Sequence, residues 1–122
     1  MILGLGNDLI EIERIRLSIE RHGLHFLNRL FTRKEQDYCY RFDAAAPHFA
    51  GRFAAKEALA KAFGTGFGPD LSWLELEILS DERGKPVVFL SSPLQQRYEN
   101  PRLFVAISHC NGYALATAIW EQ

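Results

Sequence analysis

"RLFVAISHCNGYALATAIW", Arg102 to Trp120, is the stretch that decides the fold. Two runs that alternate large apolar residues with small or polar ones flank Asn111-Gly112. A period of two belongs to a strand with one buried face. Asn-Gly between such runs predicts a hairpin with a type I′ turn, whose two central residues both need positive φ. Hairpin strands are antiparallel, so this end of the chain builds an antiparallel sheet rather than the parallel sheet of alternating strands and helices.

Working outward, "WLELEIL" alternates from Trp73, "DERGKP" reads as a turn, and "VVFL" returns as a strand. Ser92, Pro93 and Gln95 predict the N-cap, first-turn proline and capping-box partner of a short helix. Near the start, Ile2 to about Ile12 has strand composition, and Gly4 and Gly6 allow another backbone to come close. Ile12, Ile15 and Ile19 then recur at helical spacing until Gly23. Phe26, Leu27, Leu30 and Phe31 predict a short helical turn. Thr32 and Glu35 have the spacing of a capping box for the helix that follows. "DAAAP" is a loop, and Pro47 leads into a helix over about Phe49–Phe63 that Gly64 closes. The expected fold class is α+β, an antiparallel sheet with helices packed on it, in one domain over residues 1–122. There is no repeat, low-complexity tract or linker.

The composition, 48% hydrophobic and 24% charged over 122 residues, is that of a globular chain with one core. No apolar run approaches the roughly 20 residues that a spanning helix needs, and no export signal is legible. Cys39 and Cys110 lack metal-type spacing and suit a reducing cytoplasm. A net charge of −1 argues against a general polyanion binder. Arg14, Arg16, Arg21, Arg29, Arg33 and Lys34 nevertheless crowd one segment, with His22 and His25 among them. Such a face steers an acidic partner, although with Glu13 and Glu20 it also reads as a solvated helix surface. Few aromatics interleave with these bases, which favours an acidic protein over nucleic acid.

Two acids stand in odd places. In "GLGNDLIEI", Gly4 to Ile12, Asp8 interrupts an apolar strand. A dinucleotide-binding turn fails because Leu9 stands where the third glycine belongs. Asp8 otherwise reads as a helix cap with Glu11 three residues on. In "HFAGRFAAKEALAKAFGTG", His48 to Gly66, a helix advances about 100° per residue. Phe49, Phe53, Ala60 and Phe63 then form an apolar stripe, with Glu57 at its edge and Lys61 one turn beyond. Arg52 and Lys56 make a basic line on the other flank. Glu57 and Lys61 read either as a surface pair, or as a sign that Glu57 needs a cation to offset its lost hydration. Asp8 and Glu57 together offer two hard oxygen donors, the sparse set that leaves Mg²⁺ room for waters and substrate phosphates. The loop "GTGFG", Gly64 to Gly68, is a helix stop or a backbone cradle for an anion or adenosine. Arg52, Lys56, Lys61 and the Ser108-His109 pair are candidates for further phosphate contacts.

"GLGNDLIEIERI", "RLFTRKEQDYC", "FAGRFAAKEALAKAFGTG", "GKP" and "ISHCNGYALATAIWE" stand in an order and spacing similar to the small bacterial holo-acyl-carrier-protein synthases. These belong to the 4′-phosphopantetheinyl transferase family. The resemblance runs essentially end to end, with Asn7 and Cys110-Asn111-Gly112 as minor departures. It implies Mg²⁺-dependent transfer of 4′-phosphopantetheine from coenzyme A to a serine of an apo acyl carrier protein, releasing adenosine 3′,5′-bisphosphate, for fatty acid biosynthesis. Asp8 and Glu57 would be the metal ligands and Lys61 the stabiliser of the departing phosphate. The serine proton would go to Glu57 or to a water on the metal. Arg52, Lys56, Ser108 and His109 would meet the donor's phosphates, and Gly64, Thr65 and Gly66 its adenosine. Arg14 and Arg21 would dock the acidic carrier. The resemblance also implies a homotrimer with active sites shared between neighbours. The alternative is a non-catalytic module that binds the carrier or coenzyme A.

Overall fold

The computed structural model describes residues 1–122. Strands β4 (Arg102–His109) and β5 (Tyr113–Glu121) form the hairpin, and β1 (Ile2–Glu11) pairs with the other edge of β5. The result is an antiparallel sheet in the order β1-β5-β4, with β2 (Leu76–Ser80) and β3 (Pro86–Leu90) as a separate antiparallel pair. The α+β expectation holds. The turn type does not, since neither Asn111 nor Gly112 has positive φ. The carbonyl of Gly112 instead accepts the Ile12 N–H at 3.0 Å, while Cys110 N–H donates to Tyr113 O at 2.9 Å. Contact with the start of the first helix overrides the local preference of the dipeptide.

Four helices precede β2: α1 (Ile12–His22), α2 (Leu24–Leu30), α3 (Arg33–Cys39) and α4 (Ala46–Phe63). The Thr32–Glu35 capping box is formed as read. Two boundaries move. Trp73–Glu75 is a 3₁₀ turn ahead of β2, so the strand is shorter than its alternation suggests. Helix α5 (Ser92–Arg97) is capped by Ser91, whose side chain accepts from Leu94 N–H, so the cap lies one residue before the expected Ser92.

Helix α4 crosses one face of the large sheet and is buried around most of its circumference, including Ala50, Ala54, Ala55, Ala58, Leu59 and Ala62. A single phenylalanine stripe is therefore too narrow a description; a helix apolar on nearly every side belongs inside the core. Its alanines let it lie close to β1, and the strand's glycines complete the approach. A Cβ on Gly4 would overlap the carbonyl oxygen of Ala62, and one on Gly6 that of Ala58. Farther up the helix, a Cβ on Gly51 would stand 2.9 Å from the Ile107 side chain on β4.

The core also holds an ion pair. Lys56 and Glu35 side chains are both 0% exposed and meet at 2.8 Å. Lys56 Nζ also donates to Leu30 O at 2.7 Å and Trp73 O at 3.0 Å, so three acceptors match its three protons. Burial pulls the lysine's pKa down, and Glu35 opposes that pull. Glu35 also accepts from Thr32 N–H at 2.8 Å and Ile78 N–H at 2.7 Å. One buried pair thus ties together α2, α3, α4 and β2. Next to it, burial raises the Cys39 thiol to about 12, which leaves it inert.

Candidate active site

The glycine contacts place Asp8. Residues Gly4, Gly6, Asp8 and Ile10 share the face of β1 that α4 covers, because side chains alternate along a strand. Gly4 and Gly6 touch the helix backbone, and Asp8, next in the row, meets the helix flank that carries Glu57 and Lys61. Lys61 Nζ donates to Asn7 O at 2.9 Å and to Asp8 Oδ1 at 3.2 Å. The Asp8 side chain is only 18% exposed. It is a strand residue facing the helix, not a helix cap.

Glu57 is half-buried, and Lys61 makes its ion pair with Asp8, not with Glu57. The surface-pair reading therefore fails. Burial, then the like charge of Asp8, raises the Glu57 pKa above its ordinary value, with Lys61 as the opposing influence. Two carboxylates that repel across a partly dry cleft, with one flexible ammonium between them, are under-neutralised. That is the donor set and charge a hard divalent cation relieves, so the residues fit Mg²⁺.

The expected phosphate contacts separate into two groups. Arg52, 5% exposed, lies on the opposite flank of α4, five residues and about 140° round the helix from Glu57. It lines a pocket of about 180 Å³ with His109, His48, Ser80 and Gly84. Arg52 Nη2 donates to Ser80 Oγ at 2.9 Å, its guanidinium lies 4.2 Å from the Tyr38 ring centroid, and its Nε has no partner. This pocket borders the β4 edge of the sheet, while Asp8 lies on β1. Asp8 pairs with Ala116, and Ala116 with Ile107 in the pocket wall, so two strand spacings, about 10 Å, separate the rows.

Lys56 does not reach either place. It is sealed in the core with every proton engaged, so it does not form a basic line with Arg52 that a ligand could reach. Ser108 parts from His109 because neighbours on a strand face opposite ways; it pairs with Leu115 on the uncovered face. The glycine loop is also not an anion cradle. The N–H groups of Gly64, Thr65 and Gly66 all point back to Ala60 O, at 3.1 to 3.3 Å, and Gly64 has the left-handed φ of 80° of a helix stop. The carbonyl end of a helix also repels anions. The loop keeps an open, exposed surface of small residues.

On α1, Arg14 and Arg21 are exposed, seven residues apart on one face, and carry no ion pair. The acids that would have neutralised the face, Glu13 and Glu20, both hold Arg16. The sequence reading missed His48. Its spacing from Arg52, one helical turn, was the available signal.

Residues 4–118 match the 4′-phosphopantetheinyl transferase superfamily. The chain belongs to that superfamily, in the branch formed by the holo-[acyl-carrier-protein] synthases. It is 55% identical to the holo-[acyl-carrier-protein] synthase of Protochlamydia amoebophila over 100% of both chains. With that of Chlamydia pneumoniae it shares 47% identity over 97% of this chain and 96% of the relative. Among solved structures, the Neisseria meningitidis synthase superposes with a TM-score of 0.92 at 32% identity, covering 100% of both chains. The Helicobacter pylori synthase in complex with coenzyme A gives 0.87 at 33% identity, over 96% of this chain and 99% of that one.

Proposed function

We propose that the protein transfers 4′-phosphopantetheine from coenzyme A to a serine of an apo acyl carrier protein, with Mg²⁺ at Asp8 and Glu57, in the cytoplasm and in support of fatty acid biosynthesis. The observation that carries the reading is the convergence of Asp8, Glu57 and Lys61, from β1 and α4, in a chain that matches this family along its length. In the reaction the serine Oγ attacks the β-phosphorus, the bond from that phosphorus to the bridging oxygen breaks, and adenosine 3′,5′-bisphosphate leaves. Mg²⁺, when bound, offsets the charge that grows on the leaving phosphate. Lys61 reaches the same region on a half-exposed side chain and donates a hydrogen bond, then a proton, to the departing oxygen. Glu57, the carboxylate of the pair that Lys61 does not hold, is assigned to take the serine proton.

The donor's nucleotide phosphate is assigned to the Arg52–His109 pocket of one copy, and Gly64, Thr65 and Gly66, about 18 Å along α4, to van der Waals contact with the adenosine from the neighbouring copy. These half-sites occupy opposite edges of one sheet, with α4 between them. A shared site in a homotrimer resolves this, because the β1 edge of one copy can meet the β4 edge of the next. The sheet's uncovered face supports such an assembly: Leu5 is 66% exposed, Leu9 62%, Phe104 43% and Leu115 43%. Arg14 and Arg21, free of ion pairs, are assigned to the acidic carrier.

Incubation with coenzyme A, Mg²⁺ and apo carrier, read by intact mass, tests the activity. The carrier should gain one phosphopantetheine, and none after treatment of enzyme and buffer with EDTA. An unchanged carrier mass in Mg²⁺ would refute the proposal. Arg14→Glu combined with Arg21→Glu should raise KM for the carrier about tenfold or more and leave KM for coenzyme A unchanged, with wild-type KM rising in high salt. A rise in KM for coenzyme A instead would move the docking face elsewhere.

A further inference from the structure

The pocket at the β4 edge is built for an anion. No carboxylate lines it, while Arg52, His48 and His109 all do. Arg52 is nine-tenths buried and fixed on both sides, by the Tyr38 ring and by Ser80, yet its Nε finds no acceptor. A buried donor without a protein acceptor gains when a ligand oxygen reaches it. His48 sits one turn before Arg52 on the same flank of α4. Its ring is stacked on Phe42 at 3.6 Å and 16° and meets His109 edge-on at 5.6 Å. Burial, then His109 and Arg52, lowers its pKa, so at neutral pH it is an uncharged imidazole with one N–H to donate.

We propose that His48 is a specificity-determining residue of this pocket, donating a hydrogen bond to a phosphate monoester on the donor and thereby discriminating coenzyme A from a donor without its 3′-phosphate. This rests on the reading of coenzyme A as donor. The two sites call for different phosphates. Asp8 and Glu57 repel an anion unless a cation intervenes, which suits the diphosphate undergoing reaction. The Arg52 pocket offers donors with no opposing charge and takes a terminal monoester directly. A pocket that hydrogen-bonds a group also rejects the analogue lacking it, because its donors are then left unpaired. The Phe42 stack fixes the imidazole before binding, so little side-chain freedom is lost when the contact forms.

The test compares adenosine 3′,5′-bisphosphate with adenosine 5′-monophosphate by calorimetry, and coenzyme A with 3′-dephospho-coenzyme A by kinetics. His48→Phe keeps the stacked ring and removes the N–H. It should weaken bisphosphate binding about tenfold and raise KM for coenzyme A similarly, while monophosphate binding, KM for the dephospho donor and kcat stay unchanged. His48→Gln, which keeps a donor, should restore part of the loss. Equal weakening of both nucleotides, or no change in either, would overturn the assignment. Should His48→Phe fail to fold, the wild-type imidazole signals decide by NMR. Those of His48 should shift with bisphosphate and not with monophosphate, and a matching response to both counts against it. A wild-type protein that transfers phosphopantetheine but shows no preference for the 3′-phosphate sinks the His48 assignment alone. One that neither transfers nor binds either nucleotide sinks the donor reading, and the assignment with it.

Discussion

Glu57→Gln should lower kcat by at least about a hundredfold, because it removes a charged metal ligand worth several kcal/mol of transition-state stabilisation. Carrier binding should survive, since Arg14 and Arg21 lie on α1. The same substitution should make the metal-free protein more stable at neutral pH. Burial and Asp8 raise the pKa of Glu57 in the folded state, so the folded protein binds its proton more tightly than the unfolded chain does. The stability this confers is present below the ordinary carboxylate value of 4.5 and is lost as pH rises through the raised one. At pH 7 the ionised side chain therefore opposes folding, and glutamine removes that opposition. A thermal melt in EDTA should show a higher Tm for Glu57→Gln than for wild type. Added Mg²⁺ should raise the wild-type Tm and leave the variant's unchanged. A lower Tm for the variant in EDTA, with wild-type turnover, would show that Glu57 is an ordinary surface acid.

Lys56→Met should destabilise the protein by about 3–5 kcal/mol, which for a chain of this size is a fall in Tm of more than about 10 °C. The loss is not of a contact alone. Glu35 would be left as a fully buried carboxylate without its cation, and the carbonyls of Leu30 and Trp73 would lose their donor. Adding Glu35→Gln should recover part of the loss, because the stranded charge disappears. It should not recover all of it, because the N–H groups of Thr32 and Ile78 depend on both carboxylate oxygens. Urea denaturation of the two single variants and the double variant measures the coupling. If Lys56 were a phosphate contact, as its sequence position suggests, Lys56→Met would instead raise KM for coenzyme A and leave Tm unchanged.

Those two residues show where the sequence can be read and where it cannot. Asp8 and Glu57 stood out because an acid inside an apolar pattern breaks a local rule, although each alone also read as a cap or a surface pair until the fold set their charges against each other. Gly4 and Gly6 were legible as a close approach, although which helix approached them was not. Lys56 was not legible. A lysine beside Glu57 reads as a solvated flank until the fold brings Glu35, 21 residues earlier, to face it in the core. The glycine loop read equally as a helix stop and as an anion cradle for a related reason. Exposed N–H groups and N–H groups folded back on Ala60 O have the same sequence, and only the backbone path distinguishes them. Ser108 and His109, neighbours in the chain, are separated by the strand's alternation. His48 and Arg52, four apart, are brought together by the helix's turn.

Everything in the proposed chemistry requires β1 and α4 to pack closely enough for Asp8 and Glu57 to hold one divalent cation between them. Mn²⁺ titration followed by EPR, with coenzyme A present, tests this on wild type, Asp8→Asn and Glu57→Gln. One ion should bind per active site in wild type, and each single substitution should weaken it more than about tenfold. Full affinity retained in either variant would mean that the two carboxylates do not share an ion, and would contradict the account.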